Sequence, residues 1–122
     1  MLALKKRNPL QYHQCNQTVT IYHKDDNGYR KTVYNQAFLE FKKTQNVDKT
    51  GSREANTFLL VIPCDEQCVF VGDKVLLGEG KEISDRETWA NFIPANVSGL
   101  VVVSYVDPKY YHGKLVHVEA GG

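Results

Sequence analysis

Neither sign of charge prevails in this chain: Lys and Arg number 15 against 14 for Asp and Glu, a formal net charge of +1. A field drawing the whole molecule to nucleic acid or to an anionic membrane is therefore not expected, and any contact with DNA has to be local. Long apolar runs are missing as well. The longest, Phe58 to Ile62 and Leu100 to Val103, fall far short of the ~20 residues a membrane helix needs, so the reading includes no membrane partner. Cysteine is sparse and odd in number, with Cys15, Cys64 and Cys68 only. With no apolar signal segment, this points to free thiols in a reducing, cytoplasmic setting. Repeats and low-complexity segments are absent. There is no Ser-His-Asp order, no Walker lysine and no pair of carboxylates with a site around it. Gly78-x-Gly80 lacks the third glycine and the following helix of a dinucleotide cradle. An enzyme, a cofactor and a small-molecule substrate are accordingly not expected.

What is present fits one domain over residues 1–122, large enough to bury roughly two thirds of its unfolded surface. Residues 1–12 carry Lys5, Lys6 and Arg7 before Asn8-Pro9 without a regular period. They read as an arm, either a solvated tail or a segment that orders on a partner. Residues 13–122 read as a small antiparallel β-barrel of about six or seven strands, with one short helix near 85–93 and a long polar loop over 42–56.

Taken in order, Thr18 to His23 alternates with Val19 and Ile21 inward, and Asn27-Gly28 is the strongest hairpin signal. The returning strand runs from about Tyr29, with room for a bulge, through Val33 and Tyr34 to the apolar patch Ala37 to Phe41. Lys42 to Asn56 is almost wholly polar, and a loop of that length in a compact domain is either functional or disordered. Thr57 to Ile62 is a strand ending at Pro63, Cys64 to Cys68 a turn, Val69 to Val71 a strand, and Val75 to Leu77 another after the turn at Gly72. Ser84 and Glu87 have the spacing of a capping box, with Trp89, Phe92 and Ile93 on one helical face and Pro94 as the stop. Trp89 is the expected anchor of that helix.

The closing segment reads as two strands folded back on each other. Leu100 to Val106 is apolar on both faces up to Asp107-Pro108, and Gly113 releases Lys114 to Glu119 with Val116, Val118 and Ala120 on one face. Both faces of the first of these strands need cover, so Leu100, Val102, Tyr105 and Val106 are candidates for a subunit interface.

Several clusters of chemical interest weigh less. His13 and Cys15 with Cys64-x-x-x-Cys68 have the ligand types for zinc but not the tight knuckle spacing. His117 and Glu119, with His112 nearby, have the types of a metal or acid/base pair, and a polar rim face accounts for them more cheaply. Tyr105, Tyr110, Tyr111, Lys109 and Lys114 are the types an oligonucleotide-binding barrel uses for single strands.

The ordered set Thr18-Val-Thr-Ile-Tyr22, Asn27-Gly28, the polar loop, Phe58 to Pro63, Gly72-Asp-Lys-Val75 and the closing hairpin resembles minor capsid or head-tail connector proteins of tailed phages and prophages of Gram-positive bacteria. Among these it is most similar to the head-closure or stopper type. The resemblance implies a virion protein at the head-tail junction, assembled in the cytoplasm of the bacterial host. It would join the portal or adaptor complex to the tail-terminator proteins as a homo-oligomer, usually a six-fold or twelve-fold ring. The long loop would face packaged double-stranded DNA, so that Lys42, Lys43, Lys49 and Arg53, repeated by symmetry, concentrate positive charge in the channel. Lys5, Lys6 and Arg7 would belong to a partner-binding arm. A small barrel binding single-stranded nucleic acid or a regulatory partner is the alternative.

Overall fold

A computed structural model describes residues 12–48 and 51–122, and the backbone alone at 43–48 and 51–56. Seven antiparallel strands make one sheet: β1 (Gln17–Asp25), β2 (Gly28–Asp48), β3 (Gly51–Pro63), β4 (Lys74–Leu77), β5 (Leu100–Val102), β6 (Tyr105–Tyr111) and β7 (Lys114–Gly121), with α1 (Arg86–Asn91) between β4 and β5. The spatial order is β5-β4-β1-β2-β3-β7-β6, and the sheet curls into a half-barrel.

Period-two patterning explains where the core lies. Val19 and Ile21 from β1, Ala37 and Leu39 from β2, Phe58, Leu60 and Ile62 from β3, and Val118 and Ala120 from β7 meet in one buried cluster with Val69, Val75 and Val103. Fully burying one such aliphatic side chain contributes about 1.5–3 kcal/mol. The β1–β2 hairpin turns at Asp26-Asn27, where the Asp25 carboxylate accepts from the Asn27 N–H at 2.8 Å. Further on, Gln17 faces Ala37 but Val19 faces Tyr34, so β2 carries one extra residue. That bulge reverses which β2 positions face inward: Tyr34 packs against the core before it, Ala37 and Leu39 after it.

The opposite face of β1 is covered by the chain that follows β4. Thr20 donates to the Gly78 carbonyl at 2.7 Å and accepts from the Gly80 N–H at 2.9 Å. Tyr22, 2 % exposed, donates to the Lys81 carbonyl at 2.8 Å and meets Phe92 edge to face at 4.8 Å between ring centroids.

Four sequence expectations are corrected. The polar stretch 42–56 is not a loop: it continues β2 and β3 as a paired ribbon, from Lys42 opposite Thr57 to Asp48 opposite Gly51. Val69 to Val71 is not a strand, although Val69 is fully buried. Phe70 instead opens a tight turn, in which Asp73 Oδ2 accepts from the Phe70 N–H at 2.9 Å and Gly72 sits at a φ of +92° that suits glycine. The helix spans Arg86–Asn91, capped by Asp85 and not by Ser84, because Asp85 Oδ1 accepts from the Thr88 N–H at 2.6 Å. Lastly, Leu100 to Val106 is two strands and not one. β5 pairs with β4, β6 pairs with β7, and the chain passes between the two edges of the sheet through Val103 and Ser104.

That last rearrangement answers how a strand apolar on both faces is covered. Val103 donates to the Asp73 carbonyl at 2.9 Å and accepts from the Gly72 N–H at 2.8 Å, while Ser104 donates to the Gly121 carbonyl at 2.7 Å. Pro108 lies within β6, an edge strand, where a missing N–H breaks no central ladder. The β6–β7 hairpin turns on His112 and Gly113 at φ of +51° and +77°, the pair of left-handed residues that a two-residue hairpin turn favours.

Candidate assembly surface

The β2–β3 ribbon is the feature that a compact half-barrel does not need. β1 pairs with β2 no further than Ala37, and β7 pairs with β3 no further than Leu59. Beyond Phe41 and Phe58 the two strands therefore pair, among the described residues, only with each other. At ~3.3 Å per residue, the seven pairs from Lys42 to Asp48 reach roughly 20 Å past the body of the sheet. A two-stranded ribbon without a third strand or a helix against it is marginally stable in water.

At the foot of the ribbon lies an open apolar groove of about 540 Å³, whose walls include Phe41, Phe58, Pro94, Val97, Leu100 and Val102. Phe41 is 48 % exposed and Val102 37 %. Val102 belongs to an edge strand, so the groove is bordered by backbone groups with no strand beyond them. On the other edge strand, Tyr105 and Tyr110 are exposed, and Tyr105 lies against Gly121 closely enough to leave no room for a Cβ there.

The expected interface residues divide accordingly. Val102 and Tyr105 are exposed, Val106 is half-buried against the core, and Leu100 is buried within the chain itself. Of the expected channel residues, Lys42 is exposed beside the groove. Lys43 pairs with Asn56, and Arg53 with Asn46, along the ribbon. Lys49, together with Lys5, Lys6 and Arg7, lies outside the described residues. Phe41, Phe58, Pro94 and Val97 were not singled out from sequence. The available signal was Phe41 itself, the last apolar residue before an almost wholly polar run.

Several polar groups away from this surface pair with one another. Glu119 accepts from His117 Nε2 at 2.9 Å, and Tyr12 Oη lies 3.0 Å from His117 Nδ1, so His117 and Glu119 form a half-buried link between Tyr12 and β7. His23 Nδ1 lies 2.6 Å from Asp73 Oδ1. Burial pushes the Asp73 carboxyl above its ordinary value, and the His23 and Phe70 hydrogen bonds oppose that rise. Lys109 Nζ is 2.7 Å from Asp107, which offsets a cation on the face proposed for single strands. Cys64 and Cys68 come together, with sulfurs 3.2 Å apart, while His13 and Cys15 line a different depression. Among the described residues no group of three or more His, Cys, Asp or Glu is placed to hold a metal ion, and no helix is long and apolar enough to cross a membrane.

Fold and surface together define a small all-antiparallel β domain with a projecting two-stranded arm. The chain belongs to a family described as a family of unknown function (DUF6751), whose model matches residues 14–122. No curated protein and no solved structure matches the chain.

Proposed function

We propose that this protein is a structural adaptor that closes into a homo-oligomeric ring at the head-tail junction of a tailed phage or prophage particle. The observation that carries the reading is the β2–β3 ribbon, which runs on for seven pairs with no third strand beside it among the described residues. An isolated ribbon of this kind gains its stability from a neighbour, and in a ring each subunit supplies one. The exposed Phe41 and Val102 at the ribbon's foot give the neighbour an apolar surface to cover. The likeness to connector proteins supplies the particle, with portal and tail-terminator proteins as partners. In that setting the ribbons meet around packaged DNA, where the basic residues Lys42, Lys43, Lys49 and Arg53 add up although each subunit is nearly neutral.

Native mass spectrometry over a range of concentrations, alone and with the portal protein of the same particle, tests this. The parent is expected to give a closed ring. A variant with 44–54 replaced by Asn-Gly, and a second variant, Phe41→Glu, are expected to keep the parent's circular dichroism and remain monomeric. A parent that stays monomeric under every condition, with and without portal, overturns the proposal.

A further inference from the structure

Two of the three cysteines close the turn that leaves β3. The Cys64 N–H donates to the Val116 carbonyl of β7 at 3.3 Å, which fixes the entry to the turn. The three intervening residues, Asp65, Glu66 and Gln67, are exposed, and Cys64 and Cys68 are both half-buried. Cys68 Sγ donates to Cys64 Sγ across 3.2 Å, and Tyr34 of β2 lines the same depression as the pair. Both cysteines line an open depression of about 320 Å³ shared with His23, Arg30 and Phe70. Cys15 stands apart: it is buried and lines another depression.

We propose that Cys64 and Cys68 are a reversible oxidation site, closing to an intrachain disulfide by exchange with a low-molecular-weight disulfide of the glutathione class. The sulfurs need only about 1 Å of further approach to reach bonding distance, and the turn between them is solvated and free to supply it. The Cys68 hydrogen bond holds the Cys64 thiol below its ordinary value, while the same bond and burial push Cys68 up. Cys64 is therefore the attacking sulfur.

Its thiolate attacks one sulfur of the incoming disulfide, forming a mixed disulfide and expelling one small thiolate, which takes up the proton that Cys64 released. The Cys68 sulfur then attacks Cys64, the bond to the small thiol breaks, and the second leaving thiolate takes the Cys68 proton. The protein loses two electrons and two protons, and one small disulfide becomes two small thiols. The bond would staple the turn that carries the chain from β3 toward Gly72 and Asp73, the residues that hold Val103.

Incubation with oxidised glutathione, quenching by alkylation under unfolding conditions and intact-mass analysis read the outcome. The parent is expected to lose two hydrogens and to fall from three alkylatable thiols to one. Dithiothreitol restores all three, and fragmentation places the bond between 64 and 68. Cys68→Ser is expected to stop at a single glutathione adduct on Cys64, and Cys15→Ser to close the bond as the parent does. A parent that keeps three thiols, accumulates stable adducts on both Cys64 and Cys68, or only cross-links between chains overturns the proposal. This thiol count on the parent needs no variant to fold.

Discussion

Tyr34 has a hydroxyl half-buried beside Cys68, and burial, followed by its proximity to Cys68, Cys64 and Glu66, pushes its ionisation up to about 12. The folded value lies above the ordinary one of ~10, so the folded state holds this proton where the unfolded chain gives it up. The stability Tyr34 contributes is thus complete below about pH 10 and is lost as the pH rises toward the folded value. Tyr34→Phe removes that dependence. Urea midpoints for parent and variant, compared between about pH 9 and 11, should show the parent losing more stability than the variant. Equal losses would mean that the hydroxyl is solvated in the folded protein.

At the scale of elements, α1 is held by fewer buried contacts than its apolar face suggests. None of its residues is fully buried. Trp89 is half-buried, tilted against Tyr29 at 5.5 Å between centroids, with the Lys74 ammonium 4.3 Å over its ring. Lys74 Nζ also donates to the Trp89 carbonyl, and burial holds that ammonium below its ordinary value. Full burial of a Trp would make its truncation cost ~3–5 kcal/mol. The observed packing puts Trp89→Ala nearer ~1–2 kcal/mol, a partial area term plus the cation–π contact. Thermal melts should show a fall of several degrees with a folded baseline kept, and outright unfolding would place Trp89 in the core.

The same elements show what was legible beforehand. Alternation in Val19-x-Ile21 and Phe58-x-Leu60-x-Ile62 reports burial on one face directly, so β1 and the inner half of β3, from Thr57 on, are legible from their residues. The sequence of β2 leaves room for a bulge, but its position depends on which residue of β1 it opposes. Leu100 to Val106 defeats a local reading because its two halves serve opposite edges of the sheet, a fact of long-range pairing. The ribbon was hidden for a different reason. Lys42 to Asn56 has loop composition, and pairing between polar strands leaves no apolar period to detect. The open groove at its foot joins Phe41, Pro94 and Val102, which are far apart in the chain and meet only in the fold.

For the molecule as a whole, the junction at Val103 and Ser104 sets an order of events. β1, β2 and β3 pair with their sequence neighbours, as do β6 and β7, and such local pairings require little loop closure. Val103 extends the β4–β5 pairing through its two hydrogen bonds to Gly72 and Asp73, and Ser104 bonds Gly121 on the other side, so the seam as a whole closes only when both edges of the sheet have arrived. The seam is therefore expected to form after the barrier to folding has been crossed and to act as a latch on the way out. Val103→Ala should leave the refolding rate nearly unchanged and speed unfolding, placing almost the whole loss of stability in the unfolding limb of the chevron. A refolding limb slowed in proportion to the lost stability would instead put this seam in the nucleus. A late latch gives the protein a persistence that equilibrium stability alone does not measure: the lifetime of the folded chain is set by how rarely this seam opens.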